Sequence, residues 1–240
     1  MKRRDALQRI AAVPFVAASS PLVVASLLGA PAAAAATPDQ FSEAEKRLFV
    51  DDQLGNLPAR AAMLEYSFTK RGSLEPAVDD RAVMQVGAPE KSGGRSVHVD
   101  FLSNAQHVQL PDVNDATGNP IILFFLERDV REMHRLTGGS ISYYRKLIRM
   151  ALAEGAQVQP VTAAVDAGPI SATEIRIEPY RDDPARPRYE RFANKRYRFT
   201  LAHDVPGKVV EMRSDMFAPT AGDPPAGALI AEVLRFARMR

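Results

Sequence analysis

The chain of 240 residues contains no cysteine and no tryptophan. The absence of cysteine excludes disulfides, thiolate catalysis, cysteine-ligated zinc, iron–sulfur clusters and acylation of a cysteine at a processing site. The absence of tryptophan disfavours a stacking platform for sugars or bases. Any chemistry of this protein therefore depends on the remaining side chains.

The chain also has little net charge, and most of it lies at the N-terminus. The formal net charge is +2, from 31 basic and 29 acidic residues. The first 36 residues hold four of the basic residues and one of the acidic ones, which leaves 27 basic and 28 acidic residues in the remainder. Binding to nucleic acid needs a concentrated positive field. We therefore predict no nucleic-acid partner.

The first 36 residues have the pattern of an export signal. Residues 3–8, RRDALQ, resemble the twin-arginine motif, with Ala6 and Gln8 where that motif usually has Phe and Lys. A moderately apolar stretch follows over residues 10–30, and residues 32–36 are all alanine. Small residues of this kind are typical of a signal peptidase cleavage site.

We therefore expect cleavage after Ala36, a periplasmic location and one mature domain over residues 37–240. Two alternatives stay open. The apolar stretch is about long enough to span a bilayer as an uncleaved anchor, and export through the general secretory route would use a similar leader.

Alternation of apolar and polar residues predicts two groups of strands. The first group covers residues 63–71, 81–86, 96–102 and 106–110, and the second covers residues 157–165, 171–179, 196–203 and 208–212. Pro206-Gly207 predicts a tight turn between the last two strands. One apolar and one polar face per strand is typical of an antiparallel sheet that is solvated on one side.

Four helices are predicted, over residues 43–54, 121–136, 141–154 and 227–239. Ser42 and Glu45 have the spacing of a capping box at the first of them. Asn119-Pro120 is a good start for the second. Gly138-Gly139 and Ser140 separate the second helix from the third, which predicts a helical hairpin between the two groups of strands.

This order predicts an α+β domain with a curved, largely antiparallel sheet of about eight strands, an inserted helical hairpin, and N- and C-terminal helices. In element order, export and strand texture the chain resembles the periplasmic lipoprotein carriers and outer-membrane acceptors of the Lol system. That resemblance implies a strongly curved sheet whose concave face is plugged by helices. It carries no site residues with it.

Residues 121–126 are six apolar residues in a row, which is more than one amphipathic face needs. This turn of helix must plug the sheet or line an apolar cavity. With a cavity, the protein is a non-enzymatic carrier for a lipid-like or acyl ligand, with no cofactor. The predicted lining is Leu64, Tyr66, Phe68, Val97, Val99, Phe101, Phe124 and Phe125, and Glu127 and Arg128 are predicted at the rim.

Two other functions stay open. An accessory or assembly protein would act on an envelope partner through a surface. A hydrolase would assemble a non-contiguous site, because catalytic triads are defined by geometry rather than by sequence order. The Arg-rich residues 181–198 predict either a solvated loop or a contact with anionic lipid headgroups or an acidic partner.

The remaining polar motifs favour structural roles. In residues 127–134, Glu127–Arg131 and Arg128–Glu132 have the i,i+4 spacing of a solvated helix face. The four histidines lie at no common ligand spacing within one element, so we predict no metal site. They are His98, His107, His134 and His203.

Overall fold

An antiparallel sheet organises residues 41–218 and 227–240, the ranges that this computed structural model describes. Within those ranges it has nine strands, in the order β4-β3-β2-β1-β9-β8-β7-β6-β5. The strands are β1 Ala62–Arg71, β2 Val78–Val86, β3 Arg95–Phe101, β4 Val113–Ala116, β5 Gln157–Val165, β6 Gly168–Ile177, β7 Asn194–Leu201, β8 Val209–Phe217 and β9 Ala228–Met239. The predicted leader and its cleavage after Ala36 lie outside the described residues.

Two long helices and several short helical segments connect these strands. The helices are α1 Glu43–Glu45, continued by a π-helical turn over Lys46–Val50, α2 Ile121–Thr137, α3 Ile141–Glu154 and α4 Glu190–Ala193, with 3₁₀ turns at Asn104–Gln106 and Arg186–Arg188. In the described ranges, no helix is both long enough and apolar enough to cross a membrane.

One face of the sheet, the inner face, carries the core. Phe68, Leu234, Met212, Phe199 and Ile175 lie directly opposite one another on five adjacent strands, β1, β9, β8, β7 and β6. All five side chains are buried. Alternation places every second residue of a strand on the same face, so this register brings the apolar sets together into a continuous surface.

The α+β class and the curved antiparallel sheet are confirmed. So are the capping box at Ser42 and the helical hairpin. Gly138 ends α2 with a positive φ of 71°, a conformation that glycine adopts without steric cost. The side chain of Ser140 then accepts a hydrogen bond from the amide of Tyr143 at the start of α3.

The predicted C-terminal helix is wrong. Residues 228–239 form β9, which lies between β1 and β8 in the middle of the sheet. Ile230 and Leu234 are four apart, as on a helix face, and the residue between them on the inner face is Glu232. A charged residue at an inward position removed the apolar alternation that predicts a strand.

Several strand ends differ from the prediction, such as β2, which starts at Val78 instead of residue 81, and β8, which ends at Phe217 instead of residue 212. Two further elements also differ. The predicted strand at residues 106–110 is a 3₁₀ turn followed by one bridge between Phe101 and Val108, and the fourth strand is Val113–Ala116. The first helix stops at Val50 instead of residue 54. The amides of Gln53 and Leu54 donate to the Thr117 carbonyl, 2.9 Å away in each case, and so leave the helical pattern.

We predict that Leu234→Ala lowers the free energy of unfolding by about 2–5 kcal/mol, because it leaves a cavity in the row of core side chains. Leu123→Ala removes the same atoms from a side chain of α2 that is 51% exposed. That control is expected to change stability by less than about 0.5 kcal/mol. Equilibrium urea denaturation followed by circular dichroism measures both, and equal losses would contradict the core position of β9.

Candidate functional site: the inner face beneath helix α2

The first half of α2 is an apolar plug. Five of residues 121–126 are buried, and Leu123 alone among them faces solvent. The ring of Phe124 lies 5.6 Å from that of Phe101 on β3, centroid to centroid. The side-chain oxygen of Asn119 accepts a hydrogen bond from the Ile121 amide at 3.1 Å, as expected for a residue that caps the helix.

The structure brings the predicted lining residues together in this core. All eight are buried in one apolar cluster between α2 and the sheet: Leu64, Tyr66, Phe68, Val97, Val99, Phe101, Phe124 and Phe125. They contact protein in the conformation seen here, so a ligand would have to displace some of these contacts. Their role in binding stays a prediction.

The second half of α2 carries charge into the same interior. Arg128, Asp129 and Glu132 are all buried, so the predicted solvated face is wrong for these three. Charged side chains are almost never fully buried unless they are paired. Each of the three finds its partners on a different part of the sheet.

Asp129 is bound by strands β7 and β8. Its carboxylate accepts hydrogen bonds from the Lys195 ammonium and the Tyr197 hydroxyl. The Ser214 hydroxyl lies 3.1 Å from the Asp129 Oδ1 atom. Asp129 and Lys195 are both fully buried, so this pair is an ion pair without solvent screening.

Glu132 is bound by β1 and by its own helix. Lys70 Nζ donates to Glu132 Oε1 at 2.8 Å, and Arg135 Nε donates to Glu132 Oε2 at 2.9 Å. Glu75 accepts hydrogen bonds from the same lysine and arginine. Burial alone would raise the pKa of Glu132, but the hydrogen bonds from Arg135 and Lys70 outweigh it and lower the pKa to about 2.

Arg128 is bound by the central strand β9. Its guanidinium donates to Glu232 Oε2, and its Nε donates to Gln106 Oε1 at 3.2 Å. The predicted i,i+4 contact of Arg128 with Glu132 is thus replaced by a contact with the sheet. The other oxygen of Glu232, Oε1, has no hydrogen-bond partner among the described residues, and Lys70 Nζ lies 3.9 Å from it.

The buried charges at the contact between α2 and the sheet sum to zero. The three cations are Lys70, Arg128 and Lys195, and the three anions are Asp129, Glu132 and Glu232. We call these six residues the ionic cluster. A buried ion pair adds little net stability compared with apolar packing, but removing one partner is strongly destabilising. The ionic cluster therefore defines where α2 sits more than it holds the fold together.

The predicted rim residue Glu127 lies at the surface of the hairpin. Its side chain is 12% exposed and forms ion pairs with Arg131 of α2 and Arg145 of α3. The predicted pair Glu127–Arg131 is present at 3.2 Å. Arg145 adds contacts of 2.8–3.0 Å, so Glu127 joins the two helices to each other.

Sequence reasoning missed a cluster of tyrosines beside Asp129. Neighbouring rings lie 5.6–6.4 Å apart in edge-on geometry, the arrangement that aromatic pairs prefer. Burial, and next the Asp129 charge, raise the pKa of Tyr197 well above 10. The members are five of the six tyrosines of the chain, namely Tyr143, Tyr144, Tyr180, Tyr189 and Tyr197.

The Arg-rich residues 181–198 are divided between both faces of the protein. Lys195 and Tyr197 point into the ionic cluster, and Tyr189 is buried among the tyrosines. Arg196 and Arg198 lie on the outer face of β7. They line a groove of about 690 Å³ that also contacts the C-terminal half of α3 and the loop at residues 178–184.

The four histidines remain apart. His98 contacts Asp112 at 2.7 Å and Asp100 at 3.3 Å, and the hydrogen bond to Asp112 is the main reason that its pKa is raised. His134 contacts the Gly139 carbonyl. Among the described residues no three His, Asp or Glu side chains are placed to hold a metal ion, and none of the histidine hydrogen bonds there involves a serine.

Comparison with known proteins finds similar folds only. No family model matches the chain, and no curated protein matches it. Solved structures to which it is similar include the lipoprotein LppX of Mycobacterium tuberculosis, at 14% identity over 73% of this chain and 84% of that one, with a TM-score of 0.28. Another is a LolA superfamily protein of Nitrosomonas europaea, at 9% identity over 81% of this chain and 92% of that one, with a TM-score of 0.22.

One of these solved structures belongs to the superfamily that the element order resembles. Identities and TM-scores at this level assign no function.

We predict that Asp129→Ala costs about 3–5 kcal/mol of stability, because it leaves the Lys195 ammonium buried without a counter-ion. The double variant Asp129→Leu, Lys195→Met replaces the pair by apolar side chains and is expected to recover most of that loss. Urea denaturation of both variants and the wild type measures the difference. A double variant less stable than the single one would contradict the assignment.

We also predict an acid-dependent loss of stability from Glu132. Its pKa is about 2 in the folded protein, against the ordinary value of 4.5 that applies in the unfolded chain. Between these values the unfolded chain binds more protons, so unfolding becomes more favourable as pH falls from about 4.5 towards about 2. In Glu132→Gln the unfolding free energy should depend less steeply on pH in this window. Parallel slopes for the variant and the wild type would contradict the prediction.

Proposed function

We infer that this protein is a carrier that holds a lipid-like or other hydrophobic ligand between α2 and the inner face of the sheet. One observation supports it above the others. The helix that covers the inner face is apolar over its first half and ion-paired over its second, so a large apolar surface of the sheet lies beneath α2.

The energetics of the two halves explain why α2 is the element to move. Each strand of the sheet except the two edge strands, β4 and β5, is paired on both sides. Displacing α2 breaks no strand pairing, and it returns six buried charges to water, which offsets part of the lost attraction. Gly138, after the helix, has a positive φ and provides backbone freedom at that end.

The inner face that displacement of α2 would expose suits an acyl chain. Phe68, Phe101 and Leu64 are apolar side chains of the sheet that α2 now helps to cover. Burial contributes about 0.8 kcal/mol per methylene, so a chain of ten or more methylenes could replace the contacts of the apolar half of α2. No covalent step is needed, and the ligand is held by surface burial alone.

The leader supports an exported location. A carrier in the periplasm would move a ligand that water dissolves poorly across an aqueous compartment. We therefore place this function in the periplasm, after removal of residues 1–36.

The test is native mass spectrometry of the protein expressed as the full chain and purified from the periplasmic fraction. We expect the mass of a chain that begins at Thr37. We also expect an additional lipid or acyl species that solvent extraction removes. In Glu132→Gln the attachment of α2 is weaker, so uptake of lipid from a periplasmic lipid extract should be several-fold faster.

Glu90→Gln is the matched control, because Glu90 is an exposed residue of the turn before β3. It should take up lipid at the wild-type rate. A ligand-free mass that stays unchanged after incubation with the extract, for the wild type and for Glu132→Gln alike, would contradict the carrier function.

A further inference from the structure

Three arginines stand side by side on the outer face of the sheet. Arg176 on β6 lies directly opposite Arg198 on β7, and Arg198 lies directly opposite Arg213 on β8. Neighbouring strands are about 4.8 Å apart, so the three side chains start within reach of one another. Like charges directly opposite each other destabilise a sheet, and among the described residues this row, the arginine row, has only Glu174 and Asp215 as ion-pair partners.

Most of the hydrogen-bonding capacity of this row is unused. Arg176 and Arg213 each donate through Nε to one carboxylate, that of Glu174 and that of Asp215. Arg198 donates no hydrogen bond among the described residues, and its nearest carboxylate oxygens lie 3.8 and 3.9 Å away. The row therefore holds three cations against two carboxylates, with Arg198 in the centre.

The arginine row forms one part of the 690 Å³ groove, and apolar side chains of α3 form another. Leu147, Met150 and Ala151 lie there, and the Met150 side chain is 43% exposed. A groove with guanidinium groups and exposed apolar side chains matches a molecule with an anionic headgroup and a hydrocarbon chain.

Other acids of the groove are already paired. Glu178 contacts Arg196 at 3.2 Å and Arg181 at 3.5 Å, and Asp182 contacts Arg181. Asp183 accepts hydrogen bonds from the hydroxyls of Tyr143 and Tyr189. Among the described residues, Glu154 is the one acid lining the groove whose side chain has neither an ion pair nor a hydrogen bond.

The groove and the site beneath α2 share residues of β6 and β7. Tyr197 and Ile177 contribute to the lining of the groove, but both side chains are buried on the inner face. The Tyr197 hydroxyl donates to Asp129 of α2. A ligand in the groove would therefore lie beside the strand that carries Tyr197.

We propose that the arginine row binds the anionic headgroup of an amphiphile, whose hydrocarbon chain lies against Leu147 and Met150. The headgroup chemistry is a phosphate, sulfate or carboxylate, which guanidinium groups bind through paired N–H donors. This goes beyond the proposed carrier function, because the groove is a second site, separate from the apolar surface beneath α2.

The test is isothermal titration calorimetry with three probes, each below its critical micelle concentration where it has one. They are dodecyl phosphate, dodecyl maltoside and inorganic phosphate. We expect dodecyl phosphate to bind most tightly. Arg198→Gln should lower the affinity for dodecyl phosphate at least about tenfold, because a charge-assisted hydrogen bond is lost. The affinity for dodecyl maltoside should stay unchanged.

Two variants serve as controls. Arg235→Gln removes an outer-face arginine of β9 that is paired with Glu211, and it should leave all three affinities unchanged. Glu154→Gln removes the unpaired acid of the groove, so it should strengthen binding of dodecyl phosphate. Circular dichroism confirms that each variant is folded.

The outcomes separate the two proposals. If dodecyl maltoside binds but Arg198→Gln does not alter dodecyl phosphate affinity, the headgroup site is overturned and the carrier function survives. If inorganic phosphate binds as tightly as dodecyl phosphate, the groove binds a free anion and the amphiphile is overturned. If neither surfactant binds, the amphiphile site in the groove is overturned, and the carrier function is decided separately by the native mass spectrometry.

Discussion

The position of α2 depends on three buried charges that it cannot satisfy by itself. Asp129 is paired with Lys195 on β7, Arg128 with Glu232 on β9, and Glu132 with Lys70 on β1. These three strands come from opposite ends of the described chain and meet in the middle of the sheet. A slip of one residue in any of them would turn its charged partner to the other face. The helix and the register of the central strands therefore require each other.

The two halves of α2 make different contributions to the fold. Each fully buried apolar side chain of the first half stabilises by about 1.5–3 kcal/mol through burial. The charges of the second half are desolvated, and their attraction does little more than offset that cost. Their effect is geometric, because any other placement leaves a charge unpaired in the interior. An interface of this kind has one well-defined position for the helix.

Sequence reasoning succeeded where the physical rule is local. The alternation at Leu64, Tyr66 and Phe68 and the caps at Ser42 and Ser140 each involve residues within a few positions of one another. It failed at β9, where Glu232 occupies an inward position and breaks the apolar alternation. It also placed Arg128 and Glu132 in solvent, because opposite charges four apart on a helix are typical of exposed faces. Their true partners, Lys70 and Glu232, are 62 and 104 positions away, and no local pattern points to them.

Sequence reasoning did not predict the arginine row, for a related reason. Arg176, Arg198 and Arg213 become neighbours only through the pairing of three strands, and no spacing along the chain predicts that register. On β7 the residues alternate between the two sites, with Lys195 and Tyr197 facing the ionic cluster while Arg196 and Arg198 face the groove. One short strand thus contributes adjacent residues to both, and the Tyr197 hydroxyl touches Asp129 of α2. Arg198 in the groove and Tyr197 beside Asp129 therefore share one backbone segment. Linkage between two sites is reciprocal by thermodynamic necessity: if displacement of α2 changes the affinity of the groove, a bound headgroup changes the equilibrium for that displacement by the same factor.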